Sequence, residues 1–302
     1  MTAFKSLYRS MRRVLPSITR AGSWRQYPIG LSLILIAPLF LLLGFGFVYP
    51  VAQLLGQSFF APEFGLGNYR RLLETPLYLK VLVRTVTIAA IVMIAALILG
   101  YPVALAMARI RRKLSGLVMA CVLLPLWTSA LVRSYAWIVI LQRRGLVNDL
   151  LLGLGAVGEP LKLIYTQSAV IVAMTHVLLP FMILPIFGAI RMIPPELEQA
   201  ARNLGAGQLS VFIKILLPLS LPGISAGCLM TFILALGFYV TPALVGGPGS
   251  LLMATLIGQQ TTETLDWGFA GALSTVLLCV TLLIVVCFRN VLSNNRGISN
   301  VA

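Results

Sequence analysis

Six long apolar runs, nearly free of charge, leave this chain little choice of fold. A helix needs about 20 consecutive apolar residues to cross the hydrocarbon core of a bilayer, and the sequence supplies such runs at 30–54, 84–108, 116–141, 166–190, 219–243 and 267–288. With 59% hydrophobic residues against 10% charged and a mean hydropathy of +0.97, the 302 residues exclude an ordinary soluble domain. The expectation is an all-α integral membrane protein with six transmembrane helices. Proline enters every run but the last: Pro38 and Pro50, Pro102, Pro125, Pro180 and Pro185, Pro222 and Pro242. Membrane helices absorb such breaks where neighbours satisfy the freed backbone groups, so kinked, closely packed spans are expected. Gly223 and Gly227 give the fifth run a GxxxG spacing, read as a close helix contact.

A net charge of +15 could mark a nucleic-acid binder, but such proteins gather their basic residues on one face of a soluble module. Here they fall between apolar runs, so they read as an orientation signal and no nucleic-acid partner is expected. An even number of spans puts both termini and the loops at 109–115 and 191–218 on one side. That side holds 15 of the 23 Lys and Arg, the other holds 7, and Arg133 lies inside the third run. By the positive-inside rule the richer side is cytoplasmic. The expected organisation is a basic cytoplasmic tail at 1–29 lying near anionic membrane lipid, a six-span domain at 30–288 and a cytoplasmic tail at 289–302. The run after the first tail is too long for a signal-peptide core and lacks an evident small-residue cleavage site, so the tail is expected to stay attached.

One loop stands out for its polarity. Residues 195–218 read PELEQAARNLGAGQLSVFIKILLP. Pro194 and Pro195 suit a helix start, and Glu196 and Glu198 fall in a first turn where the helix dipole favours negative charge. Leu197, Ala200, Ala201 and Leu204 follow helical spacing and form one small apolar face. Gly205 and Gly207 end that helix, and a second from Gln208 to Leu217 is expected to close at Pro218, where the fifth span begins. Physics alone leaves two readings: a helix lying on the bilayer, or an element that docks another protein.

The spacing of Gln199-Ala200-Ala201, Gly205 with Ala206 after it, and then Ile215, Leu217 and Pro218 resembles the EAA motif of binding-protein-dependent ABC importer permeases. It also sits in the penultimate cytoplasmic loop, as in that family. "NYRRLL", "ALVRSYAWIVILQRRGLVNDLL", "GFYVTPALVGGPG" and "LDWGFAGALS" are similar to the first-subunit type of the spermidine/putrescine branch. The resemblance implies a type I importer permease fold whose cytoplasmic coupling helices dock on an ATP-binding subunit. It implies two such subunits, a second permease chain and an extracytoplasmic solute-binding protein. Coupling would fall to Glu198, Gln199, Ala200, Ala201, Gly205, Ala206, Ile215, Leu217 and Pro218. The motif's glutamate is replaced by Gln199, with Glu198 beside it.

No GxxxxGK[ST] occurs, so ATP must be hydrolysed by another polypeptide. "GLGAVG" at 153–158 fits GxGxxG but lacks the strand–turn–helix setting and the later acid of a dinucleotide site, so it reads as a loop. Neither paired carboxylates nor metal-ligand spacings occur on one helix face, and neither enzymatic activity, cofactor nor metal is expected. Cys121, Cys228, Cys279 and Cys287 lack CxxC spacing and read as packing residues. Ionisable groups inside a membrane are costly, which draws attention to Arg133 and His176. Each has two readings: Arg133 as an interfacial or path-lining arginine, His176 as a bonded neutral side chain or a path residue. Tyr135, Thr231 and Tyr239 complete the candidate translocation path.

The resemblance favours a polyamine such as spermidine or putrescine as cargo. An amino-acid derivative or opine, meeting Arg133, is the alternative. Ion-coupled secondary transport is a reading of another class, disfavoured by the lack of acids within the runs.

Overall fold

The computed structural model describes residues 29–60 and 64–296, and all secondary structure among them is helical. The tail expected at 1–29 falls outside the described residues except for Ile29. Among the described residues, five helices are long and apolar enough to cross a membrane, or six if one bent pair counts as a single span. The chain divides between Gln53 and Leu54 into two units. In the first, α1 (Ile29–Leu43) passes through a π turn at Gly44–Val48 into α2 (Tyr49–Phe60), whose later residues belong to the second.

The second unit continues with α3 (Gly67–Glu74), α4 (Pro76–Arg109), α5 (Arg112–Trp127), α6 (Ala130–Leu141) and α7 (Leu146–Gly153). Next come α8 (Gln167–Arg191), α9 (Pro195–Asn203), α10 (Gln208–Val211) and α11 (Leu217–Leu236). After the short α12 (Val240–Val245) and α13 (Met253–Thr262), α14 (Trp267–Arg296) carries helix eight residues beyond the end expected at 288.

At the centre stands α8, packed between α4 and α11. Val170, Met174 and Leu178 meet Ile88 and Val92 on one side and Phe232 and Leu236 on the other. A turn or two along, Met182, Ile186 and Phe187 meet Ala96, Tyr101 and Cys228. Lipid is as apolar as these side chains, so close van der Waals fit rather than the hydrophobic effect must hold such helices together. Small residues provide that fit. A Cβ on Gly223 would lie 2.5 Å from the Ala189 Cβ and 2.6 Å from the Pro185 carbonyl oxygen, and one on Gly227 would lie 2.9 Å from the Met182 sulfur. The GxxxG spacing is thus a close helix contact, as read from sequence. Of the cysteines only Cys228 packs in the core, while Cys121, Cys279 and Cys287 lie exposed.

Two expectations need correction. The third span, read as one run at 116–141, is broken at Thr128 and Ser129, where the backbone turns extended and the helices on either side meet at 99°. The fifth, read as starting at 219 and reaching 243, runs without a break from Gln208 to Leu236. Pro218 does not stop it. Proline lacks an N–H and its ring crowds the carbonyl four residues earlier. The helix widens into a π turn at Phe212–Leu216, with the Leu217 N–H bonded back to the Phe212 carbonyl. In the first unit the π turn at Gly44–Val48 likewise ends two residues before a proline, Pro50.

Gly223→Val should force α8 and α11 apart and cost about 1–3 kcal/mol of stability. Thermal unfolding in detergent would show a lowered midpoint, whereas Gly188→Ala, whose added Cβ would meet nothing within 4 Å, should leave it in place.

Candidate coupling element and intramembrane polar site

Helix α9 starts on Pro195, as the sequence requires, and carries Glu196 and Glu198 in its first turn. It closes in a Schellman arrangement around Gly205, whose φ is +84°. The Gly205 N–H donates to the Arg202 carbonyl at 2.9 Å and the Ala206 N–H to the Ala201 carbonyl at 3.0 Å. This left-handed position excludes most side chains, so the motif's glycine is set by backbone geometry. Leu154 to Ala156 repeat the pattern at the end of α7, with φ +67° at Gly155. Gly155 therefore closes α7, and the "GLGAVG" motif straddles the helix end and the loop that follows it.

The apolar face expected on α9 is largely unpartnered. Leu197 and Ala200 are exposed, Ala201 is half-buried, and Leu204 and, past the turn, Leu209 are 89% and 70% exposed. Such a face on a helix between two spans is poised for contact outside this chain. Gln199 is exposed, while the neighbouring Glu198, about 100° round the helix, turns inward. Its carboxylate accepts from the Arg109 guanidinium at 2.8 Å, with side-chain exposures of 18% and 41%. The pair ties α9 to the last turn of α4 across a shallow cleft of about 430 Å³ that Gln199 and Arg202 also line.

A second tie lies one step further in. The Tyr101 hydroxyl of α4 hydrogen-bonds the Ser220 hydroxyl of α11 at 3.1 Å and the Tyr101 ring meets Phe212 edge-on. Ile215 sits half-buried in the π turn, Leu217 opens α11 and Pro218 follows exposed. The coupling candidates therefore lie along one segment, joined to α11 through the Gly205–Gly207 turn and α10 and tied laterally to α4. Neither tie was legible in the sequence, because nothing local marks Arg109 as the partner of a residue 89 positions away.

Arg133 has a clear occupation. The break after α5 frees the Pro125 carbonyl, which accepts from the Arg133 guanidinium at 2.6 Å and from the Thr128 hydroxyl at 3.0 Å. A cation at a helix C-terminus is favoured by the dipole and by the unpaired carbonyls there. One turn on, the Trp137 indole N–H donates to His176 Nδ1 at 3.4 Å across a T-shaped ring contact. Ser134, fully buried, meets Thr241 of α12 at 3.0 Å. His176, Tyr135 and Tyr239 are exposed on the outside of the bundle, whereas Thr231 is fully buried within it. The five path candidates thus do not share one surface.

The chain belongs to the binding-protein-dependent transport system inner membrane component family, whose model matches residues 96–293. It is therefore the permease subunit of an ABC importer in the inner membrane, and not an enzyme; ion-coupled secondary transport is set aside. The chain is 39% identical over 233 residues to the spermidine/putrescine transport system permease protein PotB of Escherichia coli strain K12, covering 77% of this chain and 84% of that one. With PotB of Haemophilus influenzae the identity is 37% over 243 residues, covering 80% and 85%. The fold matches a bacterial ABC transporter involved in the import of the acidic polysaccharide alginate, with a TM-score of 0.75 at 18% identity over 95% of this chain and 98% of that one. That match shows the type I importer permease fold.

Arg109→Glu should weaken the tie between α9 and α4, and adding Glu198→Arg should restore it. The pair is partly exposed, so a double-mutant cycle on thermal stability is expected to give a coupling of about 0.5–1 kcal/mol. Arg133→Ala should leave the Pro125 carbonyl short of a donor and lower the yield of folded protein, measured by monodisperse recovery from membranes. Arg133→Lys, which keeps the charge but loses the planar fork, should fall between the two.

Proposed function

We propose that the permease passes a polyamine such as spermidine or putrescine, delivered by an extracytoplasmic binding protein. It works beside a second permease chain and two ATP-binding subunits, with the α9 side of the bundle and both termini in the cytoplasm. The unpartnered apolar face of α9, closed by Gly205, is the observation that carries the coupling role. A helix fixed to α11 and pinned to α4 passes displacement into the bundle when an ATP-binding subunit pushes on it. The positive-inside count supports the orientation.

The cargo reading rests on relatives named as spermidine/putrescine permeases over about four-fifths of the chain. The occupied Arg133 favours it further. With its guanidinium bound to the Pro125 carbonyl, Arg133 acts as a cap within the broken span, which weakens the case for an anionic or zwitterionic cargo held there. Tyr135 and Tyr239, at 57% and 44% exposure, offer aromatic faces of the kind that attract ammonium groups.

Two measurements test these assignments separately. Gly205→Asp should reduce co-purification of the ATP-binding subunit and abolish ATP-driven uptake; unchanged assembly and transport would overturn the coupling role. In vesicles holding the whole transporter, labelled spermidine or putrescine should enter only with ATP and binding protein present. Uptake of an opine in place of either polyamine would overturn the cargo assignment and leave the coupling role standing.

A further inference from the structure

At the α9 end of the bundle, where α4, α5 and α8 come together, lies a cavity of about 280 Å³ beside the cleft of the Arg109–Glu198 pair. Its lining includes the apolar Met107 and Phe187 and the polar or charged Ser115, Arg112 and Arg191. No acidic residue lines it. Arg191 lies with its guanidinium carbon 5.5 Å from the centre of the Phe187 ring, and among the described residues neither arginine forms an ion pair. In the neighbouring cleft, which Arg191 also lines, Glu198 is taken up by Arg109, so Arg112 and Arg191 are left without a carboxylate partner. Met119 adds a further apolar side chain to the lining from α5.

A cationic mouth on an apolar wall at the end of membrane helices matches a molecule with an anionic head and hydrocarbon chains. We propose that this cavity binds the phosphodiester headgroup of an anionic phospholipid of the cytoplasmic leaflet, gripped by Arg112 and Arg191 with the glycerol and first methylenes against Met107 and Phe187. Arginine suits this role because its planar fork bonds phosphate oxygens in pairs and its stem tolerates apolar surroundings. The site rests on the cytoplasmic placement of the α9 end, where anionic lipid and basic residues meet. A lipid held there would wedge α5 against the α4–α8 pair, next to the point where α9 is tied down.

The test uses the purified transporter in detergent, equilibrated with equal amounts of phosphatidylglycerol and phosphatidylcholine and read by native mass spectrometry. Wild-type protein should retain phosphatidylglycerol over phosphatidylcholine by about thirtyfold, the order expected for two arginines at an anionic headgroup. Arg112→Gln with Arg191→Gln should abolish the preference while the thermal midpoint in phosphatidylcholine is unchanged. Should that variant fail to fold, Gly116→Leu serves, because it fills the cavity from a position with open space around it and leaves both charges in place. Equal retention of phosphatidylglycerol by wild type and by Gly116→Leu would overturn the proposal. It would also fall if inorganic phosphate stabilised the protein as well as phosphatidylglycerol does, marking a soluble phosphate site. A third overturning result is that the double glutamine variant loses the ATP-binding subunit yet keeps its lipid preference. The coupling role of α9 is read by Gly205→Asp, so failure of one assignment leaves the other intact.

Discussion

Backbone-to-backbone contact between α8 and α11 is the constraint on which the rest depends. Gly223 and Gly227 bring α11 within reach of Pro185 and Met182, so close that no larger residue fits without separating the helices. Gly100 of α4 approaches Met182 and Ile183 from the other side, where an added Cβ would sit at 3.2 Å. With α8 fixed between them, α4 and α11 become stiff neighbours. The loop between α8 and α11 then inherits that stiffness, since α10 runs into α11 without a break and α9 is tied to α4 through Glu198 and Arg109.

Elsewhere the membrane sets the terms through the backbone. A carbonyl released at a break in a span has no water to turn to, and the chain answers with local donors. At Pro125 the donors are Arg133 and Thr128; between the spans, Asn148 of α7 donates to the Gln142 carbonyl before that helix and the Leu161 carbonyl after it, and accepts from the Leu161 N–H. Thr85 does similar work between α4 and α13, accepting from the Met253 N–H at 2.9 Å. These polar residues hold irregular chain in place, which explains why an arginine persists within an otherwise apolar run.

Much of the architecture was legible in sequence because it depends on local rules. Apolar run length marked the spans, Pro195 and Gly205 marked the two ends of α9, and the GxxxG spacing marked a close contact of α11, though not that α8 is the partner. Proline was the point at which local rules misled. Pro218 reads as a helix stop, yet tertiary packing of Val211 and Leu216 into the bundle keeps the helix going and converts the misfit into a π turn. Pro125 reads as a kink like the others, and the extended Thr128–Ser129 link that follows makes it a full break. Long-range partners such as Arg109 with Glu198, or Trp137 with His176, leave no mark in a single sequence, because either residue would be unremarkable alone.

The π turn between α10 and α11 gives the spacing of this loop a physical meaning. Each residue of helix turns the chain by about 100°, so the interval from Gly205 to Pro218 is an angle as much as a length. Dropping or adding one residue there would swing α9 round the axis of α11, carrying Glu198 away from Arg109 and aiming Leu204 in a different direction. A motif recognised by its spacing is then, in physical terms, a protractor setting.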